Sequence, residues 1–161
     1  MIENITMIEM DEKCAKEVAR WKYEGDYAIY NMPSWEEMCK KEFSLTLNNR
    51  RNKEYKAFVT DSLEFLAMCR YVKKNDGIKI GVGVHPDYLS LGIGTAVVKE
   101  FTLWLLRKYP NEKLYLDVRA WNRRAVRCYE KSGYKISRIY HQTTPIGTGE
   151  FYELHYMNTC I

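Results

Sequence analysis

The chain contains 161 residues, of which 46% are hydrophobic and 29% charged, a composition typical of one soluble globular domain over residues 1–161. Its formal net charge of +4 is modest and scattered, which argues against a nucleic-acid-binding protein. Five cysteines without a CxxC pair, no secretory signal and no apolar run of membrane-spanning length predict a cytoplasmic protein with reduced thiols and no membrane partner.

The first 53 residues predict an edge strand, two helices and a polar loop. In chain order these are strand 2–10, helix 11–25, helix 34–47 and loop 48–53. Asp11 is a favourable N-cap for the first helix, and Gly25 provides its end. Ser34, three residues before Glu37, forms a capping box for the second helix. The basic loop is interpreted as solvated surface.

From residue 55 the apolar period changes from helical to strand-like. Three consecutive antiparallel strands are predicted, at 55–60, 65–73 and 78–84. The sequence Asn75-Asp76-Gly77 is a strong signal for a tight hairpin between the last two strands.

The remaining chain predicts two helices and three strands. In chain order these are helix 93–108, strand 113–120, helix 122–133, strand 135–143 and strand 151–158. Asn122 caps the shorter helix and Gly133 ends it. A strand–helix–strand passage needs a crossover, so strands 78–84 and 113–120 are expected to be parallel neighbours.

The predicted element order is therefore β-α-α-β-β-β-α-β-α-β-β. The fold class that follows is mixed α/β (α+β), with a central mixed and mostly antiparallel sheet flanked by helices.

The segment Leu89–Thr95 joins a predicted strand to a predicted helix and carries glycines at 92 and 94. Glycine lets successive backbone N–H groups point outward where the first donors of a helix have no partners. Those donors and the positive end of the helix dipole favour phosphate. Alone, a Gly-x-Gly turn is also typical of ordinary turn chemistry.

Two separated motifs stand in one order in the chain. A strand ends in Val84-His85-Pro86, and Leu-Ser-Leu-Gly-Ile-Gly follows at residues 89–94. After the next strand comes Asn122, then Arg-Ala, then Tyr-Glu-Lys-Ser-Gly-Tyr ending at residue 134. In this the chain resembles the GNAT-type N-acetyltransferases, whose motifs read Gln/Arg-x-x-Gly-x-Gly/Ala and Tyr-Glu-Lys-x-Gly-Phe/Tyr. One departure is that Leu89 and Ser90 replace the usual Gln or Arg followed by Gly.

The resemblance implies a GNAT-like fold and acetyl-coenzyme A as cosubstrate, and the widely spaced histidines predict no metal site. The implied coenzyme-binding residues are Val82, Val84, Leu89, Ser90, Leu91, Gly92, Ile93, Gly94, Thr95, Asn122, Ala125 and Tyr129. Loop contacts come mainly from backbone N–H groups, which Leu89 and Ser90 also provide. A serine at position 90 matters only if the loop requires a positive φ there.

The resemblance also implies catalytic roles. Tyr129 corresponds to the family's general acid, which protonates the departing sulfur; the alternative is a tyrosine buried on the inner face of a short helix. The backbone N–H of Val84 is the predicted donor to the thioester carbonyl. The general base varies within the family. His85 and Asp117 are the two predictions, and a structural role suits either equally.

The aromatic segment from Trp21 to Tyr30 has two interpretations. Tyr23, Tyr27 and Tyr30 are predicted to form part of an acceptor-site wall, as this region does in related enzymes, although aromatic residues at such spacing are also typical of a core. Tyrosine faces attract cations, which suits an amine. The predicted reaction transfers an acetyl group to a primary amine of a small molecule, peptide or protein.

The main alternative is a non-catalytic coenzyme A-binding module with a sensing or regulatory role. Leu89 and Ser90 favour that alternative, whereas Tyr129 argues against it. A nucleic-acid partner would rest only on basic clusters at 50–53 and 123–127, and none is expected. The sequence leaves a homodimer open.

Overall fold

The computed structural model describes residues 4–157. Its strands are β1 (Thr6–Glu9), β2 (Tyr55–Val59), β3 (Phe65–Lys74), β4 (Gly77–Val84), β5 (Leu114–Arg119), β6 (Tyr134–Thr144) and β7 (Gly147–Tyr156). Its α-helices are α1 (Glu12–Arg20), α2 (Trp35–Lys40), α3 (Asn48–Glu54), α4 (Ile93–Lys108) and α5 (Arg123–Lys131). Short 3₁₀ helices lie at Gly25–Tyr30, Ser44–Thr46 and Pro86–Tyr88.

The seven strands form a sheet in the order β1-β2-β3-β4-β5-β7-β6. β4 and β5 are parallel, as the crossover argument predicts. The pairs β1–β2, β2–β3, β5–β7 and β6–β7 are antiparallel. The predicted mixed, mostly antiparallel sheet flanked by helices is therefore confirmed.

The described residues divide into two compact units. The first unit comprises residues 4–70 and 82–93, and the second comprises residues 71–81 and 94–157. Strands β3 and β4 and helix α4 contribute residues to both units. The prediction of one domain over residues 1–161 stays a prediction.

The first unit is built around a core from α1, α2, β2 and the segments beside them. The residues of this core are Met10, Ala15, Val18, Ala19, Trp21, Met38, Leu45, Tyr55, Ala57, Val59 and Phe65. The predicted cap of α1 is confirmed, because the carboxylate of Asp11 accepts the N–H of Cys14 at 2.8 Å. The predicted helix end at Gly25 is wrong. Trp21 already has extended backbone, and its ring is buried in the core.

The predicted end of the second helix near Leu47 and the predicted loop at 48–53 are also wrong. Helix α2 ends at Lys40, and Glu42 turns the chain with φ +53°. Residues 48–54 then form α3, so three α-helices rather than two precede β2 among the described residues. Arg51 is buried, and its guanidinium donates to the carbonyl of Leu45 at 2.9 Å. This buried contact, which the surface interpretation misses, ties the basic segment to the core.

The second unit follows the predicted elements closely. Helix α4 has its predicted bounds, and Val97, Phe101 and Leu105 on its apolar stripe are completely buried. The hairpin β6–β7 is tighter than predicted, with Thr144 opposite Gly147. No helix within residues 4–157 is long and apolar enough to cross a membrane. The predicted residues 2, 3 and 158 lie outside the described range.

Candidate active site

The peptide group between Val84 and His85, at the end of β4, is held from both sides. The hydroxyl of Tyr23 donates to the carbonyl of Val84 at 2.7 Å. The N–H of His85 donates to the carbonyl of Leu66 on β3 at 2.8 Å. Successive residues of a strand direct their backbone groups to opposite edges. The N–H of Val84, the predicted donor to a thioester, therefore points to the edge opposite β3.

The aromatic segment that supplies Tyr23 is itself anchored. The side chain of Asn31 accepts the N–H of Tyr23 at 2.7 Å and donates to its carbonyl at 3.3 Å. Tyr27 is half-buried and Tyr30 is 39% exposed, so neither belongs to the core of the first unit. Trp21 does belong to it. The acceptor-wall role of Tyr23, Tyr27 and Tyr30 stays a prediction.

His85 is restrained beside this peptide group. Its ring lies 5.3 Å from that of Trp21 and 5.2 Å from that of Tyr88, measured between ring centroids. Its Nδ1 atom accepts the N–H of Asp87 at 3.1 Å. A neutral imidazole that accepts through Nδ1 carries its proton on Nε2. The Nδ1 lone pair of His85 therefore accepts a backbone N–H, and the role of His85 as the general base stays a prediction.

The loop between β4 and α4 contains two left-handed residues. Ser90 has φ +62° and Gly92 has φ +79°. A positive φ is uncommon in a residue with a side chain. Because the loop has a positive φ at position 90, the replacement of the family's glycine by serine does matter there. Helix α4 begins at Ile93, which is buried, whereas Leu91 is 64% exposed. The N–H groups of Ile93, Gly94 and Thr95 belong to the first turn, where intrahelical partners are lacking.

The start of α5 carries the second predicted group of residues. The side chain of Asn122 accepts the N–H of Ala125 at 3.1 Å, which confirms the predicted N-cap. Tyr129 is 8% exposed, and its ring lies edge-on to that of Tyr134 at 6.3 Å between centroids. This burial accords with a structural tyrosine and also with a buried acid. The coenzyme contacts and the catalytic role therefore stay predictions.

Asp117 on β5 is a largely buried carboxylate in the second unit. Its Oδ2 atom lies 2.5 Å from the ammonium nitrogen of Lys79, and its side chain is 13% exposed. Its Oδ1 atom is buried and has no hydrogen-bond partner among residues 4–157. Burial and the nearby Asp117 carboxylate raise the pKa of the Tyr140 phenol. Asp117 thus has one oxygen in an ion pair with Lys79, and its role as a general base stays a prediction.

Two contacts escape sequence reasoning. The hydrogen bond from Tyr23 to the carbonyl of Val84 joins segments 61 residues apart, and no local sequence pattern predicts it. The ion pair of Lys79 and Asp117 leaves a weak signal. Lys79 is opposite Tyr115 in the parallel pairing, and Asp117 follows two residues later on the same face of β5.

No three His, Cys, Asp or Glu side chains gather as metal ligands would anywhere in the described range. No disulfide joins any two of the cysteines at 14, 39, 69 and 128, and Cys160 lies outside the described range.

A family model described as the Acetyltransferase (GNAT) family matches residues 15–134. The chain belongs to the GNAT acetyltransferase family. The members of this family are acetyltransferases that use acetyl-coenzyme A. The matched region begins at residue 15 and contains the motif from Val84 to Gly94.

An N-alpha-acetyltransferase from Sulfurisphaera tokodaii is 38% identical over 68 residues, covering 42% of this chain and 40% of that relative. The match therefore spans less than half of the relative's length.

Two solved structures share the fold over nearly the whole chain. A GNAT-family acetyltransferase from Bacillus anthracis has a TM-score of 0.78 and 12% identity, covering 98% of this chain and 96% of its own. A spermidine N-acetyltransferase chimera from Vibrio cholerae and hSSAT has a TM-score of 0.73 and 14% identity, covering 96% of each. At these identities the likeness shows the fold alone.

Proposed function

We propose that the protein transfers an acetyl group from acetyl-coenzyme A to a primary amine of a small molecule, peptide or protein. The observation that carries this proposal is the loop between β4 and α4. Ser90 and Gly92 are left-handed there, immediately before the helix begins at Ile93. Left-handed residues let neighbouring N–H groups converge on an anion, and the helix dipole adds a positive field. This geometry suits the pyrophosphate of the coenzyme.

The proposed coenzyme-binding residues fall into three groups. They are the strand residues Val82 and Val84, the loop residues Leu89, Ser90, Leu91, Gly92, Ile93, Gly94 and Thr95, and the helix residues Asn122, Ala125 and Tyr129. In the loop the contacts are backbone N–H groups, which do not depend on side-chain identity. The replacement of Gln or Arg by Leu89 is therefore compatible with binding, provided that the φ values of the loop are kept.

In the proposed reaction the amine nitrogen attacks the thioester carbon, a C–N bond forms, and the C–S bond then breaks. The N–H of Val84 donates to the acyl oxygen as negative charge develops on it. Tyr129 gives its proton to the departing sulfur, which leaves as the neutral thiol of coenzyme A.

The attacking nitrogen must also lose a proton, and we assign this step to Asp117. Its Oδ1 atom has no hydrogen-bond partner among the described residues, whereas Nδ1 of His85 already accepts the N–H of Asp87. A general base needs an available lone pair before its pKa matters. His85 remains the second assignment.

The relatives suggest which amines to test first. One is named for N-alpha acetylation and another for spermidine. Tyr27 and Tyr30 are proposed to contact the acceptor, since aromatic faces attract ammonium groups. A cytoplasmic location and a homodimer stay predictions.

The decisive experiment measures release of free thiol from acetyl-coenzyme A across a panel of α-amino peptides, polyamines and amino sugars. We expect release that depends on one class of amine. We also expect acetyl-coenzyme A at a hundred times its Kd to stabilise the fold by about 2.7 kcal/mol. A folded protein whose Tm ignores millimolar acetyl-coenzyme A would contradict the proposal, and binding without turnover on any amine would favour the non-catalytic module.

Gly92→Val and Ser90→Ala form a matched pair for the loop. Valine at position 92 disfavours the left-handed conformation and obstructs close approach of the coenzyme. Alanine at position 90 removes only a hydroxyl. Calorimetry should therefore show a much larger loss of affinity for Gly92→Val. Equal losses in the two folded variants would contradict the backbone-contact model.

A further inference from the structure

We propose that Tyr23 is a positioning residue of the transfer reaction, whose hydroxyl fixes the Val84–His85 peptide group and thereby, through the Cα atom of Val84, the direction in which the adjoining Val84 N–H faces the acyl oxygen. This inference rests on the proposed function, because that function assigns a role to the Val84 N–H. Tyr23 itself is not proposed to exchange a proton with the substrates.

The first step of the argument is where the hydroxyl lies. The N–H and the carbonyl of one residue leave a strand on the same edge, whereas those of the next residue leave on the other. His85 donates to Leu66 on β3, so the backbone groups of Val84 face away from β3. Tyr23 donates to the Val84 carbonyl at 2.7 Å. Its hydroxyl therefore stands on the same edge as the Val84 N–H, beside it.

The second step is what the hydroxyl restrains. β4 ends at Val84, and Pro86 begins a 3₁₀ helix two residues later. A strand end has few ladder bonds to fix the rotation of its last peptide group. Here the two bonds, one from Tyr23 and one to Leu66, hold that group at both ends. Since the Val84 N–H is one residue away along the same backbone, its direction follows from this restraint.

The third step is that Tyr23 is held firmly enough to act as a restraint. Asn31 bonds both the N–H and the carbonyl of Tyr23, at 2.7 and 3.3 Å. The neighbouring Trp21 is 5% exposed and packs on Phe65 with ring centroids 5.0 Å apart. The backbone on either side of Tyr23 is therefore tied to the core of the first unit.

The kinetic test is Tyr23→Phe, with Tyr55→Phe as its matched control. Both changes delete a hydroxyl that makes a 2.7 Å hydrogen bond in the first unit, in the control a bond with Ser44. A misplacement of about 1 Å can lower a rate about 100-fold. We expect Tyr23→Phe to lower kcat about 10- to 100-fold with the Kd of acetyl-coenzyme A changed less than about twofold. The control should lose stability but keep kcat.

A second readout does not depend on turnover. In ¹⁵N-labelled protein, loss of the Tyr23 bond should shift the amide resonance of His85, whose nitrogen belongs to the same peptide group as the Val84 carbonyl. Acetyl-coenzyme A should slow hydrogen exchange of the Val84 amide in the wild type, and clearly less in Tyr23→Phe. Tyr55→Phe should behave as the wild type in both respects.

The outcomes separate the two proposals. Wild-type protein that binds acetyl-coenzyme A but acetylates no amine would refute the proposed function, and the Val84 exchange measurement would still decide the role of Tyr23. Tyr23→Phe with wild-type kcat, or with wild-type protection of Val84 by acetyl-coenzyme A, would overturn the positioning role.

Discussion

The loop between β4 and α4 can be tested by two substitutions with opposite expected signs. Gly92 has φ +79°, and a Cβ atom built there would meet no atom within 4 Å. Gly92→Ala therefore acts through conformation alone, at a cost of about 1–2 kcal/mol in the folded state. The stiffer unfolded chain offsets about 0.4–1 kcal/mol of this. The net loss should be about 0.5–1 kcal/mol.

Ser90→Gly should have the opposite effect and stabilise the folded protein. Ser90 already has φ +62°, so the native chain carries a similar conformational cost at that position. Glycine removes this cost but makes the unfolded chain more flexible. The net gain should again be about 0.5–1 kcal/mol. For a domain of this size, thermal unfolding should move by about 1–4 °C, downward for Gly92→Ala and upward for Ser90→Gly.

Calorimetric titration with acetyl-coenzyme A connects this loop conformation to function. If Gly92→Ala lets the loop relax, binding must restore the left-handed geometry, and affinity should fall about 5- to 30-fold, equivalent to about 1–2 kcal/mol. Ser90→Gly should leave affinity within about threefold. Gly147→Ala is the control: Gly147 has φ +117° and nothing within 4 Å of a built Cβ, but it lies in the β6–β7 turn. It should lower Tm without changing affinity.

Two results would refute this reasoning. If Ser90→Gly destabilises the fold as much as Gly92→Ala does, the strain assigned to Ser90 is absent. If Gly92→Ala and Gly147→Ala both lower Tm while neither weakens coenzyme binding, the left-handed loop is ordinary turn chemistry rather than a phosphate site.

Three further predictions follow from individual side chains. Tyr129→Phe should lower kcat about 10²- to 10⁴-fold with little change in coenzyme affinity, and the loss of kcat should be smaller with an acyl donor whose thiol is more acidic. If the variant keeps full kcat under conditions where chemistry limits the rate, Tyr129 is not part of the mechanism. Asp117→Asn should lower kcat about 10²-fold or more across the pH range, and wild-type kcat would exclude it as the base. Burial opposes the charge of Glu54, but hydrogen bonds from Arg50 and Arg70 outweigh it and lower the pKa of that carboxyl. When folding lowers the pKa of a carboxyl, the charged form stabilises the protein at pH values above the ordinary pKa of that group. Glu54→Gln should therefore lower the free energy of unfolding, measured with denaturant, by about 1–3 kcal/mol at pH 7, and this loss should shrink as the pH falls below about 4. A loss that does not change with pH would contradict the ion-pair account.

Local signals predict those elements whose stability is local. Helix α4 matches its predicted bounds because its apolar residues recur along one stripe for 16 residues. The caps at Asp11 and Asn122 are confirmed because a cap is a contact with a residue three positions away. Gly77, at the predicted hairpin, has φ +138°, a value that the Asp-Gly pattern anticipates.

Helix α3 is an element that local sequence signals do not predict. Its sequence has no apolar stripe, and it reads as a basic loop. What holds it are contacts with other segments: Arg51 bonds the carbonyl of Leu45, and Glu54 pairs with Arg70 on β3 at 2.7 Å. Such tertiary contacts override weak helix propensity, and they are not visible in a single window of sequence.

The candidate site also has a part that the sequence predicts and a part that it does not, and the reason is chemical. The proposed recognition of a phosphate by N–H groups needs particular φ values. The sequence indicates a left-handed residue at Gly92, but not at Ser90, where a serine adopts the same left-handed region. The proposed recognition of an amine depends on side chains, and no local pattern of the sequence identifies which side chains contact the acceptor. We expect a donor site built from backbone groups to keep its function while its side chains change, as proposed for position 89. The acceptor site lacks that tolerance, so acceptors should differ among relatives that share the fold.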